Sequence, residues 1–133
     1  MFDHVSIGVT NMTRAKTFYD AALEPLGMKP VMPVEIGGQL VGLGYGPDEA
    51  AAPSFWAQLP LNGQPASQGN GAHFAFRAEK RADVDAFYLA AIAQGGIEDG
   101  APGLRTEYHP NYYAAFVRDP DGNKIEAVCH GPE

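Results

Sequence analysis

The sequence predicts an α+β fold in which two β-α-β-β-β repeats form a curved mixed sheet around a central cleft. Three observations predict it. The chain repeats itself, its apolar residues switch between the strand and helix periods, and turn residues punctuate the switches. Moved back by 69 positions, which brings residue 73 onto residue 4, Ala72-His73-Phe74-Ala75-Phe76 falls on Asp3-His4-Val5-Ser6-Ile7. In the same register and without a gap, Val84, Phe87, Tyr88, Ala91 and Ile92 fall on Ala15, Phe18, Tyr19, Ala22 and Leu23, and Gly96 falls on Gly27. Helix stripes resemble each other often by chance. A strand, a histidine, a stripe and a terminal glycine in one register seldom do.

Each element follows from its residues. Val5, Ile7 and Val9 alternate with more polar positions, as Phe74 and Phe76 do, which is the period of a half-buried strand. The stripe positions lie at i, i+3, i+4, i+7 and i+8, one face of a helix. Asn11 is placed to cap the first helix, Pro25 and Gly27 close it, and Gly95-Gly96 close the second. Met28–Ile36 and Gln39–Tyr45 flank Gly37-Gly38, a hairpin turn, with Pro30 and Pro33 pointing to an edge strand. Ser54–Leu59 is read as the fourth strand. Tyr112–Arg118 and Asn123–Cys129 flank the turn Asp119-Pro120-Asp121-Gly122. Gly95–Pro110 is read as a long loop.

The 133 residues fit one domain over 1–133, with repeat 1 at about 1–59, a polar linker at about 60–71 and repeat 2 at about 72–130. A chain of this length buries roughly two-thirds of its unfolded surface, so it folds without needing a disulfide or a metal. The net charge of −7 and nine scattered Lys and Arg exclude a nucleic-acid partner, which requires a basic stripe. Cys129 is the one cysteine, and the opening Met1-Phe2-Asp3-His4 lacks the features of a secretory signal. No apolar run reaches the length of a membrane span. The expectation is a cytoplasmic protein with no membrane partner.

The chemistry is expected on the far side of the strands. His4 shares a face with Ser6 and Gly8, and His73 shares one with Ala75 and Arg77, opposite the apolar residues in both repeats. A lone strand histidine is more often an ordinary polar side chain than a ligand. Two in register across a repeat reverse those odds, and pairing of the repeats about a pseudo-twofold axis makes the imidazoles converge. Glu126 lies opposite Ile125 and Ala127 and adds a carboxylate. Two imidazoles and a carboxylate suit one divalent ion such as Zn, Ni, Mn or Fe, with positions left open for substrate. Cys129 faces the other way and is read as core, and His130 as exposed.

Further candidates line the same cleft. The run Arg105–Tyr113 is dense in polar and aromatic groups. In it His109 is an acid–base candidate, and Tyr112 and Tyr113 point to opposite faces, so one of them at most lines the pocket. Arg77 is either an anion site or a solvated charge. Trp56 either packs or floors an apolar substrate pocket.

Asp3-His4-Val5-Ser6-Ile7-Gly8-Val9, Phe18-Tyr19, Leu26-Gly27 and the run Ala115–Glu126 with Asp119-Pro120-Asp121-Gly122-Asn123 at its centre resemble the vicinal oxygen chelate superfamily. It includes glyoxalase I, thiol transferases, extradiol dioxygenases, an epimerase and bleomycin-binding proteins. The resemblance covers nearly the whole chain and is specific for fold more than for reaction. It implies that His4, His73 and Glu126 are metal ligands, that the substrate is a small molecule chelated through neighbouring oxygens, and that the chain is a homodimer, its site within one chain or shared. Glyoxalase-like members add a fourth ligand from the fourth strand. Here the repeat offset sets Ala57 opposite Glu126, so Gln58 reaches that place only through a register slip. The resulting three-ligand pattern is similar to that of the thiol transferases and dioxygenases. Glu126 and His109 are then the candidates for proton transfer. The competing implication is a metal-free protein that sequesters a small molecule or antibiotic.

Overall fold

The computed structural model describes residues 1–133. The first half runs β1 (Val5–Gly8), α1 (Met12–Leu23), β2 (Lys29–Ile36), β3 (Gln39–Gly46) and β4 (Phe55–Gln58). The second runs β5 (His73–Arg77), α2 (Arg81–Ala93), β6 (Ile97–Glu98), β7 (Gly103–Leu104), β8 (Tyr113–Arg118) and β9 (Lys124–Cys129). Each half forms its own mixed sheet, in the orders β1-β4-β3-β2 and β5-β9-β8-β6, with β7 also on β8. β1 and β5 pair parallel with the last strand of their own half, and the other ladders are antiparallel. The stretch Gly95–Pro110, expected as a loop, carries β6 and β7, which run beside β8 as an interrupted edge.

Local chemistry sets the element ends. The Asn11 side chain accepts from the Arg14 amide at 2.9 Å, satisfying an N-terminal donor of α1. Gly37 and Gly38 both take positive φ, 60° and 78°, the geometry of a two-residue hairpin turn. The α1 stripe is buried throughout. In α2, Val84, Phe87 and Ala91 are buried, Tyr88 is half-buried and Ile92 at the end of the stripe is exposed.

Both helices lie on the inner faces of the sheets and pack against each other. One continuous core takes residues from both halves, including Phe18, Tyr19, Phe55, Phe87, Val117 and Ile125. Full burial of such side chains stabilises by about 1.5–3 kcal/mol each. Phe55 of β4 meets Phe76 of β5 edge-on at 5.1 Å, joining the halves across their sheets.

The β8–β9 turn makes a second junction. Asp119 is 1% exposed, and its carboxylate receives four donors. Oδ1 accepts from the amides of Asp121 and Asn123 at 2.9 and 2.8 Å. Oδ2 accepts from the Tyr19 hydroxyl at 2.6 Å and from Asn123 Nδ2 at 2.9 Å. Asn123 Nδ2 also donates to the Gly8 carbonyl at 3.0 Å, and Asp121 accepts from the Thr10 amide at 3.1 Å. A turn of the second half thus satisfies the polar groups where β1 passes into α1. That is why both carboxylates of Asp119-Pro120-Asp121-Gly122 are needed: each bridges the two halves. No helix is long and apolar enough to cross a membrane.

Candidate metal centre and substrate cavity

The outer faces of the two sheets look away from the shared core, and they carry the candidate site residues. On β9, Ile125, Ala127 and Cys129 point into the core, as the sequence alternation requires, so Glu126 points out. It is still only 1% exposed, because neighbouring side chains cover it. One carboxylate oxygen lies 3.2 Å from His73 Nε2, and the other accepts from the Tyr112 hydroxyl in a short hydrogen bond. Burial, and then the hydrogen bond to Glu126, push the Tyr112 phenol pKa up and keep it protonated. The three residues line a cavity of about 570 Å³ whose walls include Arg105, Phe116 and Lys124.

His73 and Glu126 fit a divalent ion. Two donors about 2.1 Å from one ion and roughly 100° apart stand about 3.2 Å from each other. The separation of His73 Nε2 and Glu126 Oε1 is 3.2 Å. The buried carboxylate supplies charge, and Tyr112 orients it through its second oxygen.

His4 does not join them within one chain, which corrects the expectation that the repeats bring all three ligands to one point in the monomer. No three His, Cys, Asp or Glu side chains of the chain converge. His4 is exposed just before β1, its Nδ1 2.5 Å from Asp3. The physical reason lies in the packing. The halves share a core through their helices, no ladder joins β1 to β5, and the two outer faces therefore do not close on each other.

The observed register also corrects the repeat alignment. Ser6 pairs with Trp56 on β1–β4, and Ala75 pairs with Glu126 on β5–β9. Ser6 and Ala75 stand equally far from His4 and His73, so Trp56, not Ala57, is the counterpart of Glu126. Ala57 is buried in the core. The first half thus carries an indole at the strand position where the second carries the Glu126 carboxylate. Gly44, opposite Trp56 on β3, makes room for it. A Cβ there would stand 2.8 Å from Trp56 Cζ2 and 2.8 Å from Pro53 Cβ. Trp56 and Gln58 line an apolar pocket of about 300 Å³ with Val34, Ile36 and Leu61.

The remaining candidates separate. Tyr112 lines the cavity, while Tyr113 donates to Asp85 on α2 at 2.6 Å, the opposite-face arrangement expected from alternation. Arg77 is exposed at the end of β5 and lies outside the cavity, as a solvated charge does. His109 also lies outside it. Its Nδ1 accepts from the Asn111 amide at 3.0 Å and its Nε2 is 2.8 Å from His130 Nδ1. The His109 and His130 rings both meet Tyr112 edge-on, at 5.4 and 5.3 Å. The His109–His130 pair escapes sequence reasoning because both residues sit outside regular strands, where no periodicity relates them. Arg105 reaches the cavity from the run Arg105–Tyr113 expected at its rim, whereas Lys124 was missed as a cavity residue. Lys124 shares the outward alternation of Glu126, two positions away, and that signal was available.

A duplicated β-α-β-β-β fold with a histidine–carboxylate pair in an outward cavity defines the glyoxalase and dioxygenase class of architecture. The chain belongs to the Glyoxalase/Bleomycin resistance protein/Dioxygenase superfamily, whose model matches residues 1–127. It is 39% identical to a glyoxalase/bleomycin resistance protein from Albidiferax ferrireducens T118, with a TM-score of 0.81 over 98% of this chain and 99% of that one. A glyoxalase I mutant from Zea mays is 26% identical, with a TM-score of 0.71, over 96% of this chain and 45% of that longer one. A glyoxalase/bleomycin resistance protein/dioxygenase family enzyme from Burkholderia phytofirmans PsJN, at 16% identity and a TM-score of 0.70 over 96% and 97% of the chains, shares the fold. No curated protein matches.

Proposed function

We propose that this protein is a divalent-metal-dependent enzyme acting on a small organic substrate chelated through neighbouring oxygens. The reaction is of the lyase, isomerase, thiol-transferase or dioxygenase type. The observation that carries this reading is the His73–Glu126 pair, spaced 3.2 Å apart at a buried carboxylate in a cavity of about 570 Å³. His73 and Glu126 hold one Zn, Ni, Mn or Fe ion, and His4 of a second copy completes the set in a cytoplasmic homodimer. Such an ion supplies Lewis acidity toward an oxyanion developing on the substrate. Glu126, on leaving the metal, is the candidate to take a proton from the substrate. Tyr112 fixes the direction of that carboxylate, and His109 supports the Tyr112 ring from behind. Trp56, in the place equivalent to Glu126 in the first repeat, leaves three protein ligands instead of four, and the second copy that brings His4 would bring its Trp56 as an apolar wall.

The test is metal analysis of protein purified with neither added metal nor chelator. One ion per chain is expected in the wild type, with loss in His4→Ala and in Glu126→Ala. Wild-type protein that holds no ion and takes none up with better than millimolar affinity overturns the reading. A second reading, sequestration of a small apolar molecule without metal, draws on the pocket formed by Trp56, Val34, Ile36 and Leu61. It requires ligand affinity that both substitutions leave intact.

A further inference from the structure

We propose that the cavity beside His73 and Glu126 contains a carboxylate-binding subsite formed by Arg105 and Lys124 across the Phe116 ring, so that its substrate is a small organic acid with an apolar body. This rests on the reading of that cavity as the substrate cavity. The chain carries a net charge of −7, yet this wall holds two cations, of which Lys124 pairs only loosely with a carboxylate shared with Arg118 and Arg105 pairs with none. The Arg105 guanidinium lies 5.4 Å from the Phe116 ring centre and Lys124 Nζ lies 5.2 Å from it. The cavity has two carboxylates, Asp99 and Glu126. Glu126 is committed to His73 and Tyr112. Asp99 is committed to Arg118 at 3.0 Å and leaves Lys124 at a looser 3.7 Å.

Arg105 has no carboxylate partner. It donates to two neutral acceptors, the Gly103 carbonyl at 2.9 Å and the Ala101 carbonyl at 2.8 Å. A guanidinium has five N–H donors, so these bonds fix its plane and leave the others free. The loop is shaped to seat it. A Cβ at Gly103 would come within 3.2 Å of Arg105 Nη1, and one at Gly100 within 3.1 Å of Nη2 and 2.9 Å of Phe116 Cδ1. Glycine at both positions lets the guanidinium lie against the backbone and beside the ring. A fixed fork and a flexible ammonium sharing one aromatic ring suit a carboxylate whose attached carbon skeleton packs on Phe116 and the Tyr112 ring.

Benzoate and benzyl alcohol test this, because they share a ring and differ in the charge, and neither presents the chelating oxygen pair on which the metal reading depends. Each is titrated into metal-free ¹⁵N-labelled protein, following the Arg105 side-chain Nε–H and the amides of residues 99–105. Benzoate is expected to shift these signals with saturation, binding roughly tenfold tighter than benzyl alcohol. Arg105→Gln and Lys124→Met should each remove most of that preference without altering the affinity for benzyl alcohol. Equal binding of the two probes, benzoate shifts centred elsewhere, or a Lys124→Met variant that keeps the full preference overturns the proposal. Failure of the metal reading appears separately, as absence of metal uptake in wild-type protein whatever benzoate does.

Discussion

Replacing Tyr19 by Phe probes the junction that holds the two halves together. The hydroxyl is fully buried and donates at 2.6 Å to Asp119, itself 1% exposed, so the substitution removes one hydrogen bond to a buried charge and leaves the ring packing intact. Bonds of that kind contribute about 1.5–3 kcal/mol. For a chain of this length, roughly 4 °C per kcal/mol then lowers the melting temperature by about 6–12 °C. Asp119→Ala removes all four acceptor contacts and leaves Tyr19 unpaired, so a larger loss, about 3–5 kcal/mol, is expected. The assay is urea unfolding followed by circular dichroism, run as a double-mutant cycle of Tyr19→Phe with Asp119→Asn.

The same hydroxyl has a pH signature. Burial first, and then the Asp119 charge, raise the Tyr19 pKa in the folded state. Burial, and then Asp20, raise that of Tyr45. The unfolded chain titrates these phenols near the ordinary value of about 10. Above it the unfolded state releases protons first, so the stabilisation is fully present below about pH 10 and declines as pH rises toward the folded values. Tyr19→Phe should flatten that alkaline decline. A stability change under about 0.5 kcal/mol in Tyr19→Phe, with an unchanged alkaline slope, would refute the reasoning.

Mixing the His4→Ala and Glu126→Ala proteins under conditions of subunit exchange should restore about one quarter of the native metal sites, because half the dimers are mixed and each mixed dimer regains one intact site. Metal analysis after mixing checks it, and no recovery would mean that the ligands do not meet across copies. Trp56 is the sole tryptophan, so Ni or Co uptake should quench the intrinsic fluorescence if His4 and Trp56 face the occupied site. Unquenched emission at saturating metal would place Trp56 away from it. Trp56→Glu sets a carboxylate opposite Glu126 in the repeat and should tighten metal binding by at least about tenfold, read by competition with a chromophoric chelator. Gly44→Ala should destabilise by about 1–3 kcal/mol and shift the Trp56 emission, since the added methyl meets the indole and Pro53.

Most of the fold was legible because it rests on local rules. The α1 stripe, the Gly37-Gly38 hairpin and the opposite faces of Tyr112 and Tyr113 each follow from periodicity or turn stereochemistry. The outward face of Glu126 was legible from Ile125 and Ala127, but its burial was not, because His73 of β5 and Tyr112, just before β8, reach it from elsewhere in the chain. The counterpart of Glu126 was misassigned to Ala57 because an ungapped offset cannot register a length difference between helix and last strand. The ladders Ser6–Trp56 and Ala75–Glu126 can. Convergence of His4 with His73 failed in the single chain because duplication determines which face each imidazole occupies, and not which faces meet.

The bond from Tyr19 to Asp119 spans 100 positions of sequence. During synthesis the first β-α-β-β-β unit therefore leaves the ribosome with the entry to its helix unfastened, and the residues that fasten it are made only within the second unit. Final consolidation of that unit must wait for the β8–β9 turn of the second. A nascent chain stopped short of the Asp119–Asn123 turn is the form most exposed to proteases and to premature association.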